Sequence, residues 1–174
     1  MTTIRPIRPD EAEAAKEVIR TVWRGIFDEI MLTEEVTDFV LNYFDDPETL
    51  RDMDDIPAAY GVGGTFLVIV DGERVVGTGA VGRMDDEICE LRRVFLLREY
   101  QGTGLGATIT RTLIDFARDA GYRKMRLGSN KKLHAAHRLY YHLGFYNIEP
   151  YEEGNTEYFY SMEKDLCSGE ASPA

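Results

Sequence analysis

The stretch Arg98-Glu-Tyr-Gln-Gly-Thr-Gly-Leu-Gly-Ala-Thr108 contains three alternating glycines, Gly102, Gly104 and Gly106. Residues 88–97 before it are rich in apolar side chains and in residues that are compatible with β-structure, which predicts a strand. Apolar residues recur at helical spacing through residues 105–120, which predicts a helix. The glycines therefore lie at a strand-to-helix turn, where the lack of Cβ atoms lets a ligand approach the main chain. The N–H groups of this turn and of the new helix form a site for an anion such as a pyrophosphate.

Several glycine patterns bind phosphate groups, and their spacing distinguishes them. The Walker pattern requires a Lys-Ser/Thr pair after its last glycine, and Ala107-Thr108 stands there instead. The dinucleotide fingerprint requires Gly-x-Gly-x-x-Gly in the first βα turn of a fold, whereas this chain has Gly-x-Gly-x-Gly past its middle. A tight glycine turn that binds nothing is the remaining alternative on this motif alone.

Length and composition indicate one folded domain. A chain of 174 residues, of which 44% are hydrophobic, is long enough for one buried core. We expect a single domain over residues 1–167 and a disordered tail over residues 168–174. The chain has no apolar run long enough to cross a bilayer and no signal-peptide core at its start, which predicts a cytoplasmic protein. Cys89 and Cys167 agree with a reducing compartment.

The formal net charge of −11 bears on the partners of the protein. Nucleic acids and anionic membranes require clustered Lys and Arg, so this charge argues against both. Acidic residues are concentrated between Asp45 and Asp55, which suits a cationic amine substrate; a solvated acidic surface is the alternative. The sequence leaves a homodimer open.

The order of predicted elements alternates between helices and strands. We expect a strand near residues 4–9, a helix starting at Asp10 with Glu13 in a capping box, a helix from Thr33, and a short element from Asp46-Pro47. A hairpin follows over residues 65–70 and 74–81, with its turn at Asp71-Gly72. After the glycine turn we expect a helix ending near Gly121, a strand at 124–127, a helix ending at Gly144, and a last hairpin over 145–149 and 157–162.

Three segments together resemble the GNAT superfamily of acetyl-CoA-dependent N-acyltransferases. Gln101-x-x-Gly104-x-Gly106 is similar to its Gln/Arg-x-x-Gly-x-Gly/Ala signature. Residues 91–102 resemble its fourth strand and pyrophosphate turn, and residues 136–145 its Ala-x-x-Leu-Tyr-x-x-Leu-Gly-Phe helix. The resemblance covers about Ile4 to Leu166. It implies an α/β (α+β) fold whose central mixed, mostly antiparallel sheet has about seven strands, flanked by helices, with splayed fourth and fifth strands.

The resemblance also implies where the cofactor and the catalytic groups lie. Acetyl-CoA is the expected co-substrate, with its pantetheine along the fourth strand and its pyrophosphate on the glycine turn. Many members carry a cofactor-binding Asn where Leu133 stands here, so Asn130 becomes the candidate replacement. The implied main-chain and pyrophosphate contacts are Val94, Phe95, Leu96, Gln101, Gly102, Thr103, Gly104, Leu105, Gly106 and Ala107.

Two side chains are the candidates for acid–base chemistry. Tyr140 matches the family's usual general acid, which protonates the departing thiolate, and it also borders the cofactor; a tyrosine buried in the core is the alternative. Glu90 lies where some members carry a catalytic glutamate and is the candidate base, with a salt bridge to a neighbouring arginine as the equal alternative. Alternation along the strand predicts that Glu90 faces the same side as Arg92 and Val94.

The expected function is therefore transfer of an acetyl group from acetyl-CoA to a primary amine of a small, cationic molecule by direct attack. A protein or peptide N-acetyltransferase and a non-catalytic acyl-CoA-binding module are the alternatives. No metal is expected, because no cysteine or nearby acid completes a ligand set with the histidines of the last helix. A hydrated helix face accounts for them, and they are His134, His137 and His142.

Overall fold

The computed structural model describes residues 1–29, 42–131, 133–152 and 159–167, with residues 27–29 as backbone only. Its strands are β1 Thr2–Pro6, β2 Thr65–Asp71, β3 Arg74–Arg83, β4 Ile88–Leu96, β5 Lys124–Asn130, β6 Tyr146–Ile148 and β7 Phe159–Asp165. They form one sheet in the order β1-β2-β3-β4-β5-β7-β6. β4 and β5 are parallel, and the other neighbouring strands are antiparallel. The predicted mixed, mostly antiparallel sheet is confirmed.

Helices connect the strands. They are α1 Ala12–Glu29, α2 Ile56–Tyr60, α3 Leu105–Asp119 and α4 His134–His142, with short 3₁₀ segments at Pro9–Glu11, Pro47–Met53 and Arg98–Tyr100. α1 and α3 both pack against β3 and β4. The buried apolar side chains lie between these helices and the sheet, and the largest include Ile19, Leu50, Met53, Ile69, Ile109, Leu113, Met125 and Leu127.

The start of the first helical segment differs from the prediction. The backbone N–H of Arg8 donates to Glu11 Oε2 at 2.9 Å, so Glu11 and not Glu13 closes the capping box. Arg5 and Arg8 also pair with this carboxylate, which is 5% exposed. Pro9 begins a 3₁₀ turn that places Glu11 at the third helical position, and the predicted Asp10 cap was wrong by two residues.

The segment between α1 and β2 is organised by aspartate caps. Asp46 Oδ1 accepts from the Glu48 N–H at 3.0 Å and starts the Pro47–Met53 segment as predicted. Asp55 Oδ1 accepts from the Ala58 N–H at 3.1 Å and starts α2, which we did not predict. The helix predicted from Thr33 falls largely outside the described residues.

Positive φ values mark the ends of elements. Gly121 has φ 91° after α3 and Gly144 has φ 89° after α4, which confirms both predicted helix ends. The β2–β3 turn lies at Gly72-Glu73, one residue later than predicted, since Asp71 pairs with Arg74. The final antiparallel pair is present, but the predicted connection at 153–155 and the tail at 168–174 lie outside the described residues.

Candidate functional site

The glycine turn has the backbone that an anion site requires. Gly102 and Gly104 have φ values of 73° and 86°, a region that favours glycine. α3 starts at Leu105, and the N–H of Thr108 donates to the Gly104 carbonyl at 3.0 Å. The N–H groups of Leu105, Gly106 and Ala107 thus belong to the first helical turn, which has no intrahelical acceptors. They are available for the phosphates of a ligand.

Space above the turn is open. A Cβ built on Gly104 meets no heavy atom within 4 Å, and one built on Gly106 meets only Leu139 Cδ2, at 4.0 Å. The residues present therefore fit a pyrophosphate, whose oxygens need close access to the main chain. A Cβ atom at either position would project into this open space, and at Gly104 the positive φ would also strain the backbone.

Two predicted contact residues use their side chains to hold the turn. Gln101 Nε2 donates to the Leu96 carbonyl at 2.9 Å, and Thr103 Oγ1 donates to the Tyr100 carbonyl. Tyr100 in turn donates to Asp71 Oδ2 at 2.9 Å, which ties the turn to the end of β2. The backbone N–H of Gln101 also donates within the turn, to the Arg98 carbonyl at 3.0 Å, so the observed contacts of Gln101 hold the turn itself.

β4 and β5 separate beyond their first three residues. They pair in parallel only from Ile88 with Lys124 to Glu90 with Arg126. A cavity of about 700 Å³ opens where they diverge, and both strands line it. Predicted residues that line it are Glu90, Val94, Phe95, Asn130 and Tyr140. The predicted splay is confirmed, and it brings the candidate catalytic residues to one cavity.

A β-bulge changes the alternation along β4. Ala80 pairs with Arg92 and Thr78 with Phe95, so Arg93 and Val94 both stand opposite Gly79. Arg93 has φ 56°, and its carbonyl accepts from Thr78 Oγ1 at 2.6 Å. Strict alternation placed Arg93 on the opposite side from Arg92. The bulge instead brings both arginines to the cavity.

Glu90 is 8% exposed and both of its oxygens are hydrogen-bonded. Arg92 Nε pairs with Oε1, and the Tyr151 hydroxyl donates to Oε2 at 3.1 Å. The salt bridge that we considered as the alternative to a catalytic role is present. Glu90 nevertheless borders the cavity, so the pairing constrains its role without removing it from the site.

Tyr140 is 8% exposed and contacts Phe145 edge-on at 5.7 Å between ring centroids. Burial raises the pKa of its hydroxyl to about 12, so the side chain is neutral at physiological pH. It is both packed in the core and at the cavity wall. A neutral phenol at this position can donate a proton.

The histidines of α4 differ from one another. His134 and His142 are exposed, as predicted. His137 is 5% exposed and its Nε2 lies 3.0 Å from Ser129 Oγ, so the predicted hydrated face was wrong for this residue. Burial lowers its pKa. Among the described residues, no group of three His, Cys, Asp or Glu side chains is arranged to hold a metal ion.

Sequence reasoning missed four other residues that line the cavity. They are Tyr151, Glu152 and an aromatic pair, Trp23 and Phe44, whose centroids lie 4.9 Å apart. Asp52, from the acidic stretch that suggested a cationic substrate, lines the cavity as well. Tyr151 and Glu152 follow β6 in irregular chain, where no periodic pattern identifies a side chain's direction. No helix within the described ranges combines the length and apolarity needed to cross a bilayer.

Comparisons with known proteins agree with this geometry. N-acetylaspartate synthetase of Danio rerio is 37% identical over 105 residues, which cover 59% of this chain and 37% of that protein. This chain thus spans well under two thirds of that relative. The PaiA N-acetyltransferase of Thermoplasma acidophilum, solved in complex with coenzyme A, superposes with a TM-score of 0.74 at 19% identity, over 95% of this chain and 99% of that one.

A second structure extends the likeness of fold. The yncA protein of Salmonella typhimurium, solved with its cofactor acetyl-CoA, superposes with a TM-score of 0.64 at 22% identity, over 100% of this chain and 98% of that one. The family model for the acetyltransferase (GNAT) family matches residues 27–145, which include β4, the glycine turn and Tyr140. This match exceeds half of the chain, and the chain belongs to the acetyltransferase (GNAT) family.

Proposed function

We propose that this protein transfers the acetyl group of acetyl-CoA to a primary amine of a small molecule. The observation that carries the proposal is the cavity where β4 and β5 separate, because a buried, neutral Tyr140 lines it and the neighbouring Leu139 lies close to Gly106 of the glycine turn. A module that only bound acyl-CoA would need the turn but would have no use for a proton donor at this place.

The glycine turn and β4 hold the co-substrate in this proposal. The N–H groups of residues 102–107 bind the pyrophosphate, and the main chain of Val94, Phe95 and Leu96 pairs with the pantetheine. Asn130 at the end of β5 borders the same cavity and contributes a polar group. Acetyl-CoA, when bound, supplies an activated acyl carbon.

The chain's own residues supply the proton transfers. Tyr140 gives its hydroxyl proton to the leaving sulfur, and the backbone N–H near Leu96 stabilises the developing negative charge on the carbonyl oxygen. A carboxylate takes a proton from the ammonium form of the acceptor, because an alkylammonium has no free electron pair for attack. Glu90 was the sequence candidate for that base.

The acceptor is the least defined partner. The name of the Danio rerio relative indicates a small amine that itself carries carboxylates. Most of the aspartates that led us to expect a cationic acceptor already have partners within the protein. Asp46 and Asp55 cap helical segments. Asp45, Asp52 and Asp54 form ion pairs with Arg24, Arg93 and Lys16, respectively. Their contacts weaken the case for a cationic acceptor, and we retain only a small primary amine.

A thiol-release assay tests the proposal. Purified protein is incubated with acetyl-CoA and a panel of amino acids, polyamines, aminoglycosides and peptides. Turnover with a small amine supports it, and turnover with peptides alone favours a protein N-acetyltransferase. Acetyl-CoA binding without turnover on any amine would leave an acyl-CoA-binding module. The salt dependence of kcat/KM tests for a cationic acceptor, which should react more slowly as ionic strength rises.

A further inference from the structure

Glu90 is poorly placed to take a proton from an incoming amine. Its two oxygens are engaged by Arg92 and Tyr151, and only 8% of the residue is exposed. Both oxygens already accept hydrogen bonds, so an ammonium group would have to displace one of these partners to reach Glu90. Moving a proton to Glu90 would also break its pair with a half-buried arginine.

Glu152 lines the same cavity and differs from Glu90 in its exposure and in its pairing with arginine. Its side chain is open to the cavity. The two arginines of the cavity pair with other carboxylates, Arg92 with Glu90 and Arg93 with Asp52. Glu152 is therefore accessible to an acceptor, and it carries a charge that neither of these arginines neutralises by direct pairing.

Burial and the adjacent Glu90 carboxylate raise the pKa of Glu152. Burial in the cavity wall has the largest effect, the charge of Glu90 and a side-chain hydrogen bond with Glu90 add to it, and Arg92 acts in the opposite direction. The other titratable groups around it come from β5, α4, its own segment and the Pro47–Met53 segment, and they are Arg126, Tyr140, Tyr151, Glu48 and Asp52. Arg126 is held by Glu163 and stacks on the ring of Tyr151 at 5.4 Å.

We propose that Glu152 is the catalytic base that accepts the acceptor's proton, and that Glu90 is a positioning residue that holds Arg92 and Tyr151 beside it. This inference rests on the proposed function. It assigns the base to the irregular segment after β6, where Glu152 lies beside Glu90 of β4.

The proton balance of the reaction is then complete. Glu152 takes one proton from the ammonium, and the freed nitrogen pair forms the new C–N bond while the C–S bond breaks. Tyr140 gives its proton to the sulfur, and its oxygen regains one from the acylated nitrogen. Glu152 returns its proton to water, so one proton is released for each acetyl group transferred.

The first test needs no turnover. The free protein, labelled with ¹³C at the glutamate carboxyls, is titrated by NMR, with Glu152→Gln identifying the signal of Glu152. We expect Glu152 to titrate above the ordinary value for a glutamate. We also expect Glu90→Gln to lower the pKa of Glu152, because it removes the repelling charge and frees Arg92. Titration of Glu152 at or below the ordinary value overturns the inference.

The second test is kinetic and uses the panel amine with the highest kcat/KM. Glu152→Gln should lower kcat by about 10²- to 10⁴-fold near neutral pH and remove the acidic limb of the pH profile. Glu152→Asp should recover part of the rate, and Glu149→Gln should behave as wild type. A profile that keeps its acidic limb in Glu152→Gln and loses it in Glu90→Gln overturns the assignment in favour of Glu90.

Failure of the Glu152 assignment and failure of the proposed function would give different results. Wild-type turnover with an unaffected Glu152→Gln variant overturns the role of Glu152 and leaves the proposed function intact. A wild-type protein that acetylates no amine of the panel overturns the proposed function, and the catalytic role of Glu152 with it, whatever the titration shows.

Discussion

Arg93 donates two parallel hydrogen bonds to Asp52, from Nη2 to Oδ1 at 2.7 Å and from Nε to Oδ2 at 3.1 Å. Nη2 also donates to the Thr49 carbonyl at 2.7 Å. Burial alone would raise the pKa of Asp52, but the guanidinium holds it below the ordinary value. Because Arg93 sits at the β4 bulge, this pair fixes the Pro47–Met53 segment against β4 at the cavity wall.

Asp52→Asn should therefore loosen one wall of the cavity. Breaking a buried pair leaves an uncompensated charge, at a cost of about 3 kcal/mol, which corresponds to a melting temperature lower by roughly 6–12 °C. We expect the acceptor KM to rise while acetyl-CoA affinity, measured by calorimetry, stays within about twofold. Asp115→Asn is the control, since its pair with Arg118 is exposed, and exposed pairs contribute at most about 1 kcal/mol. Equal melting shifts in the two variants would contradict the role of Asp52.

The glycine turn can be tested with a matched pair of substitutions. Gly104 and Gly72 both have positive φ, 86° and 61°, and a Cβ at either meets nothing within 4 Å. Gly104→Ala and Gly72→Ala should thus destabilise the fold similarly, by about 1–2 kcal/mol. Only Gly104→Ala should weaken acetyl-CoA binding, because only its methyl group enters the space proposed for the pyrophosphate. Unchanged calorimetric affinity in folded Gly104→Ala would remove the turn from the binding site.

Tyr140→Phe should lower kcat by about 10²- to 10⁴-fold and leave acetyl-CoA affinity unchanged, since it removes only the donated proton. Tyr141→Phe is the control, because Tyr141 is 48% exposed and bonds Asn147 away from the cavity. A pKa of about 12 means that Tyr140 stays protonated across an ordinary assay range, so no loss of rate from its ionisation is expected below pH 10. Wild-type turnover in Tyr140→Phe would assign the acid to another group.

Local rules were enough to predict the glycine turn and the helix that carries Tyr140, while the place of Tyr140 in the site was implied by the family resemblance. Gly102 and Gly104 meet a local backbone requirement, and Ala136 and Tyr140, about one helical turn apart, both line the cavity. Strand alternation also placed Glu90 and Arg92 together correctly. These features depend on neighbours within a few residues, which is the range over which sequence patterns are informative.

The other features of the site depend on backbone irregularities and contacts that no local sequence pattern indicates. One inserted residue at Arg93 reverses the alternation after it, and its φ of 56° is unusual for a side chain of this type. Tyr151 reaches Glu90 from 61 residues away, out of irregular chain. The capping error has a local cause, because Glu11 is favoured over Glu13 by the two arginines that precede Pro9.

Acid should destabilise the protein through two buried carboxylates. Hydrogen bonds and charges from Arg5 and Arg8 lower the pKa of Glu11 to about 2. The pKa of Glu163 is also about 2, because Lys124, Arg126 and Tyr146 outweigh the opposing effect of burial. The ordinary value is 4.5, so the stabilisation from each is present above about pH 5 and is lost as pH falls toward 2.

The size of this effect can be isolated by substitution. A pKa near 2 in place of 4.5 corresponds to at most about 3 kcal/mol for a well-buried carboxylate such as Glu163, whose side chain is 5% exposed. Glu163→Gln should therefore be less stable than wild type at pH 7 in urea, and the difference should shrink as pH falls through 4 toward 2. Glu87→Gln, in an exposed pair with Arg123, should show little difference at either pH. A Glu163→Gln deficit that stays constant down to pH 2 would show that packing, and not the charge of Glu163, accounts for its contribution.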